Sequence, residues 1–548
     1  MTSRVDVLAG ASFAANGTLT GDVVNRGRLS GTGVVIGNVA NNGTWAPGNS
    51  IGTQTVVGNA AFNAGSVFEV EVNTAGASDR LNVTGTTTIN GGTVSVLPIQ
   101  GSYNPTTNYT ILTSAGGVTG TFDGATSSLP FLTPTLAYTA TAVNLTMARN
   151  NNAFTSVATT GNQRAVGGAL DQAASAGQMT TVINAVTGLT AAQADDAYKQ
   201  MSGEAYSDVG SVSVYAGQMF MCTLGQQIAQ ARGGGSASLS SGTRVNLASL
   251  GAPVFGDAET GASAGTPERG PWNVWMSGVG VTGKVGGNAN SSTLNYSGGG
   301  AAMVLDRQFG PDMLAGIAGG YANTNISTEG VSSSGTVNSY QGAFYGSYSP
   351  SAFYLQGLAG YAYNDNTMTR TISFPGVSSV ANGSTSSNQF LGAVETGYAF
   401  PVAKAMSVTP FLGLQGTTAN QASFTETGAG TLNLTVDSQT TNSVRSILGF
   451  QVDHDANVGL ASPISLLARA GWAHEYADTA RPMTASFAGA PGAGFTVDGA
   501  QMARNSAVVA VGATTKLTNS LSFLLRYDGD VNGSDNAHAV TGRLSLTW

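Results

Sequence analysis

The chain has 548 residues, enough for two or more domains with real cores. Only 9% of them are charged, 41% are hydrophobic and 76 are glycine, a balance foreign to soluble enzymes and to disordered chains. A net charge of −8 without a basic stripe excludes nucleic acid as a partner, and one cysteine and three histidines exclude a disulfide and a Cys/His metal centre, so no cofactor is expected.

No apolar run reaches the roughly 20 residues of a helical span, which leaves a barrel open as a membrane element. Met1–Gly10 has no apolar stretch behind Arg4, so a secretory leader is not expected within this sequence.

Residues 1–149 read as short strands punctuated by Gly and Asn. The segment GDVVNRGRLSG from Gly21 returns as GNVANNGTWAPG from Gly37, and Gly58-Asn59 opens a further copy. Units this short must stack on one another to bury an apolar face, which predicts a parallel β-helix. Longer strands such as Ser66–Val72 and Thr93–Leu97 predict a cap on the stack.

Residues 150–232 change period. Val182, Ile183, Val186 and Leu189 form a helical stripe, Thr190 with Gln193 spells a capping box, and Val212–Ile228 carries Tyr215, Met219, Phe220 and Leu224. An α-helical connector is predicted here, followed by a Gly/Ser-rich linker over 233–270.

From 271 to 548 the pattern alternates with period two in about twelve segments of membrane-spanning length. Val540, Leu544, Leu546 and Trp548 point one way, against Thr541, Arg543, Ser545 and Thr547. Ile464, Leu466 and Trp472 likewise oppose Ser465, Arg469 and Glu475. Tyr361, Tyr363, Tyr398, Trp472 and Tyr476 fall toward strand ends, as interfacial girdles require. Glu395, Arg445, Arg469, Glu475, Arg526, Asp528 and Arg543 all take the inward face, where they line a wet lumen and either grip the connector or shape a path through the barrel.

Enzyme-like motifs fail on context. Gly48-Asn49-Ser50-Ile51-Gly52 and Gly261–Gly265 fit G-x-S-x-G, but His454, His474 and His538 all lie in the barrel region, so no Ser-His-Asp set forms within residues 1–149. Gly278–Gly283 fits G-x-G-x-x-G, yet Val285 stands where a phosphate loop needs Ser or Thr, and a glycine-rich strand is the better reading. Cys222 reads as a small buried hydrophobe. The expectation is a protein that is not an enzyme.

In order along the chain, APGNSIGT (Ala46–Thr53), Ser78–Leu81, Thr110–Phe122, NQRAV (Asn162–Val166), MSGEAY (Met201–Tyr206), ARAGWAHEY (Ala468–Tyr476) and LSLTW (Leu544–Trp548) resemble the autotransporters of Gram-negative bacteria. The resemblance implies a mainly β protein: a β-helix fragment, a helical connector and a twelve-stranded antiparallel transmembrane barrel with a helix in its lumen.

It further implies outer-membrane lipid, the barrel-assembly machinery and periplasmic chaperones as partners of a monomer, with Trp548, Leu546 and Leu544 as the assembly signal. An adhesive passenger meeting host or neighbouring-cell ligands is implied as well. Some relatives release the passenger at an Asn-Asn pair inside the lumen. None occurs between Thr155 and Trp548, so the passenger is expected to stay attached. Two further readings stand beside this one: a plain porin with a periplasmic domain, and the anchor of a catalytic passenger absent from this sequence.

Overall fold

Alternating short apolar and polar residues make Arg4–Val7, Asp22–Asn25, Val39–Asn41 and Ala60–Phe62 strands, and each pairs in parallel with the next. The computed structural model describes residues 4–231, 272–459 and 462–547. The linker at 233–270, the Gly261–Gly265 motif and Trp548 lie outside the described residues. The chain divides into two compact units, Met1–Met201 with Ile372–Ser379, and Ser202–Thr371 with Val380–Trp548.

The first unit is a β-helix of three parallel sheets. The repeat seen in the sequence is the coil itself: Val23 lies beside Val39, and Val39 beside Ala60. Glycine is required where coils approach. Gly37 has φ of +151°, and a Cβ there would sit 2.3 Å from the Gly21 carbonyl oxygen.

Inside, Trp45, Phe62, Phe68 and Phe122 stack with centroids 5.0 to 5.8 Å apart. Asn25 and Asn41, both fully buried, join through a 2.7 Å amide hydrogen bond. The stack ends in the antiparallel hairpin Leu132–Tyr138 and Ala142–Arg149, laid on Thr106–Ser114. Helices α1 (Gly161–Ser175), α2 (Thr180–Thr187) and α3 (Ala191–Met201) follow in the same unit. Thr190 accepts from the Gln193 amide while Gln193 Oε1 accepts from the Thr190 amide, the reciprocal cap expected from the sequence.

The second unit is a closed antiparallel ring of twelve strands. They are β1 (Trp272–Val285), β2 (Leu294–Phe309), β3 (Met313–Thr328), β4 (Ser333–Tyr348), β5 (Phe353–Phe374) and β6 (Val377–Tyr398, prolonged by Phe400–Ala403). The ring continues with β7 (Met406–Gln421), β8 (Gln439–Ala456), β9 (Ile464–Glu475), β10 (Asn505–Lys516), β11 (Leu521–Val531) and β12 (Asn536–Thr547). Pairing of β12 with β1 closes it, so no edge is left to water or lipid.

The outer face is apolar and bare: Phe344 is 73% exposed, and Met276, Ile317, Leu448, Leu466 and Leu544 are exposed beside it. Such a belt is stable only against lipid. Tyr361, Tyr363, Tyr398, Trp472 and Tyr476 are exposed on the same outer surface. Connections at one end are short, as at 310–312, 349–352 and 517–520, whereas 286–293, 422–438 and 476–504 are long and gather at the other. Long loops mark the outer surface and short turns the periplasm. Over the outer mouth, segments Phe424–Thr425, Leu434–Val436, Pro482–Phe487 and Ala490–Asp498 pair into a four-stranded cap.

Candidate functional site in the barrel lumen

Helix α4 (Ala205–Ala231) occupies the lumen. Ala, Gln, Met and Leu favour the helix, and its 27 residues give it about 40 Å at 1.5 Å per residue, enough to run the length of the pore. Phe220, Met221, Leu224 and Ile228 pack on Trp275, Val304, Tyr345 and Leu391 of the β1–β6 wall. Gly210 and Gly217, seven residues apart, bring the backbone against that wall and β8. A Cβ at Gly217 would fall 2.5 Å from Gln389 Nε2. Gln389 Nε2 donates to the Ser213 carbonyl at 2.9 Å, and Gln341 Nε2 donates to that of Ala216 at 3.3 Å.

Beside this seat a cleft remains along α4, lined by Glu395 of β6 and by Arg445, Arg469, Arg526, Asp528 and Asp530 of β8, β9 and β11 among others. All seven charges singled out in the sequence point inward. Arg469 meets Glu395 at 2.5 Å while lying over the Phe411 ring, Arg445 pairs with Asp530, and Arg526 pairs with Asp528 at 2.7 Å. Asp528 also accepts from Gln226 of α4 at 2.9 Å.

Arg543 stacks over Trp275 at 4.6 Å and donates to Gln227 Oε1, Gln226 Oε1 and the Thr223 carbonyl at 3.1 to 3.3 Å. Glu475 is turned into the wall, accepting from Ser443 Oγ and the Val444 amide. Leu544 and Leu546 face outward on β12. His454, His474 and His538 lie on β8, β9 and β12 of the second unit, and Ser50 stands in a turn between coils of the first.

Several residues escaped the sequence reading. Asp306, buried on β2, accepts from Gln227 of α4, from Asn273 and from the Tyr345 hydroxyl at 2.6 Å. Its place between outward Leu305 and Arg307 was the available signal. Arg370 and Glu426 form a buried bidentate pair at 2.6 and 3.1 Å, and the Tyr206 hydroxyl donates to Glu426 at 2.8 Å. Desolvation of that pair is offset by the Leu434 amide, which donates to Glu426, and the Leu432 carbonyl, which accepts from Arg370. Glu426 lies outside the period-two strands and carries no sequence signal.

A lipid-facing barrel filled by a helix that leads out through its outer mouth defines an outer-membrane translocator. Residues 274–528 match the family described as "Autotransporter beta-domain". Two extracellular serine proteases of Serratia marcescens are similar, one 26% identical over 98% of this chain and 53% of the relative, the other 24% identical over 97% and 54%. The chain thus spans about half the length of the curated relatives it matches.

Among solved structures, the translocator domain of NalP from Neisseria meningitidis covers 50% of this chain and 88% of its own at 17% identity and a TM-score of 0.42. The beta domain of the Bordetella autotransporter BrkA covers 50% and 99% at 14% identity and a TM-score of 0.39. Residues 274–528 are an autotransporter beta-domain, which puts this barrel in the outer membrane and its passenger at the cell surface.

The porin reading falls with that assignment. The expectation of a protein that is not an enzyme is corrected as well, because both of these relatives are proteases. It rested on residues that correspond to only about half of such a relative.

Proposed function

We propose that the charged wall of the lumen is the working surface of translocation. Arg469–Glu395, Arg445–Asp530 and Arg526–Asp528 keep the cleft side wet and self-neutralised, so a passing polar chain meets paired charges and no bare field. Arg543 and Asp528 then hold α4 once the passenger is outside. The single supporting observation is the row of ion pairs that faces α4 across the cleft, carried by β6, β8, β9 and β11.

The test is surface display of the β-helix in cells carrying Arg469→Ala with Arg526→Ala. Lower display is expected, and unchanged display removes the reading. The assembly machinery and its chaperones are the proposed partners of β12, read through Leu544, Leu546 and Trp548.

For the exported activity, the protease relatives support peptide hydrolysis at the cell surface. The three histidines of this sequence all lie on barrel strands, so a catalytic base would come from residues outside these 548. Casein cleavage by cells bearing the whole gene product, blocked by a serine-directed inhibitor, is the expected result. Its absence overturns the assignment.

A further inference from the structure

Three consecutive side chains at the start of α4 each bind a different piece of the outer cap. The Tyr206 hydroxyl donates to Glu426, in the connection between β7 and β8. Ser207 Oγ donates to the Arg481 carbonyl, and Asp208 Oδ1 accepts from the Ala500 amide at 2.9 Å, both in the connection between β9 and β10. All three residues are at most 1% exposed.

The cap is shaped around them. A Cβ at Gly499 would lie 2.5 Å from Asp208 Oδ1 and 2.8 Å from Ser207 Oγ, and one at Gly383 would lie 2.2 Å from the Tyr206 hydroxyl. The Tyr206 ring packs on Phe424 at 4.9 Å, and Arg370 on the projecting part of β5 completes the set through Glu426. Remove the 206–208 segment and Glu426, the Arg481 carbonyl and the Ala500 amide lose partners in a place closed to water. The cap strands themselves are short, and a small isolated sheet of this kind has little stability of its own.

We infer that Tyr206-Ser207-Asp208 is the keystone of a closure that forms last: the two long connections fold into the cap only when this segment stands in the outer mouth. While the passenger is moving, other residues occupy the mouth and the cap stays open. When the segment arrives, export ends and the pore is sealed in one event. The buried polar set acts as a reader of position, because an apolar segment leaves Arg370 and Glu426 without their third partner and a bulky one collides with Gly383 and Gly499.

The test uses the full chain in intact cells, with the β-helix on the surface scored by antibody. Two variants are compared with wild type: one with Tyr206, Ser207 and Asp208 all changed to Ala, and Gly499→Val, which blocks the seat without altering α4. Two readings are taken, cleavage between β9 and β10 by added proteinase K, and the conductance of the purified protein in planar bilayers.

The expected result is normal display in both variants, with loss of protease protection and a several-fold rise in conductance. A cap that stays protected over a sealed pore in the variants overturns the inference. So does failure of both variants to form a folded barrel, since the contact is placed after barrel assembly.

Discussion

Arg543 on β12 and Gln227 on α4 meet at 3.1 Å although 316 residues separate them, and the same Gln227 amide donates to Asp306 at 3.2 Å. A neutral amide thus joins a buried guanidinium to a buried carboxylate at the inner end of the helix. Arg543→Leu should cost about 3 kcal/mol, because Gln226, Gln227 and the Thr223 carbonyl lose their donor where water does not replace it. The temperature at which the barrel loses its fast mobility on an SDS gel should fall. Arg543→Lys should recover only part of the loss, since an ammonium cannot serve three acceptors from one planar fork.

Gly217 should tolerate a large side chain poorly. Leucine there would drive into Gln389 and Leu391, an overpacking cost of about 1–3 kcal/mol, and would lift α4 from the wall. Protease protection of the lumen helix in the purified protein should drop. Gly278→Ala, where nothing lies within 4 Å of the added methyl, should leave it unchanged.

Asp79 gives the β-helix a pH dependence. Burial pushes its carboxyl up from 3.8 to about 6, against the opposing pull of the Glu71 and Gly52 amides that donate to it, while the charge of Glu71 raises it further. Between those two values the folded chain binds more protons than the unfolded one. The stability contributed by the protonated group is therefore full below 3.8 and is lost as pH rises through 6, amounting at most to about 3 kcal/mol. Asp79→Asn should flatten the urea midpoint of the β-helix, followed through buried Trp45, across that window.

Phe62 touches Trp45, Phe68 and Phe122, three aromatic rings drawn from different strands and turns of the stack. Phe62→Ala should destabilise the β-helix by about 3–5 kcal/mol through transfer and cavity terms. The urea midpoint read at Trp45 should shift accordingly, with the barrel's gel mobility unaffected.

What the sequence made legible has a period. Two-residue alternation put Arg469, Arg526 and Arg543 inside and Leu466, Leu544 and Leu546 outside, and a repeated Gly-Val-Asn phrase marked the coils. Pairings that join distant segments have no period to read. Arg370 and Glu426 are 56 residues apart, Tyr206 and Glu426 are 220 apart, and the cap strands are two to nine residues long with glycines among them. The helical stripe also stopped short of the true α4, because Ala205–Ser211 is rich in small polar residues whose burial comes from the cap.

Cys222 is the one thiol in the sequence, and its sulfur lies 3.7 Å from Asp528 and 3.4 Å from Gln226 inside the lumen. Nature has thereby left a single chemical handle midway along the conduit. Because the thiol is shielded while α4 is seated, its labelling by a maleimide would report an opened lumen, with no other cysteine in these 548 residues to compete.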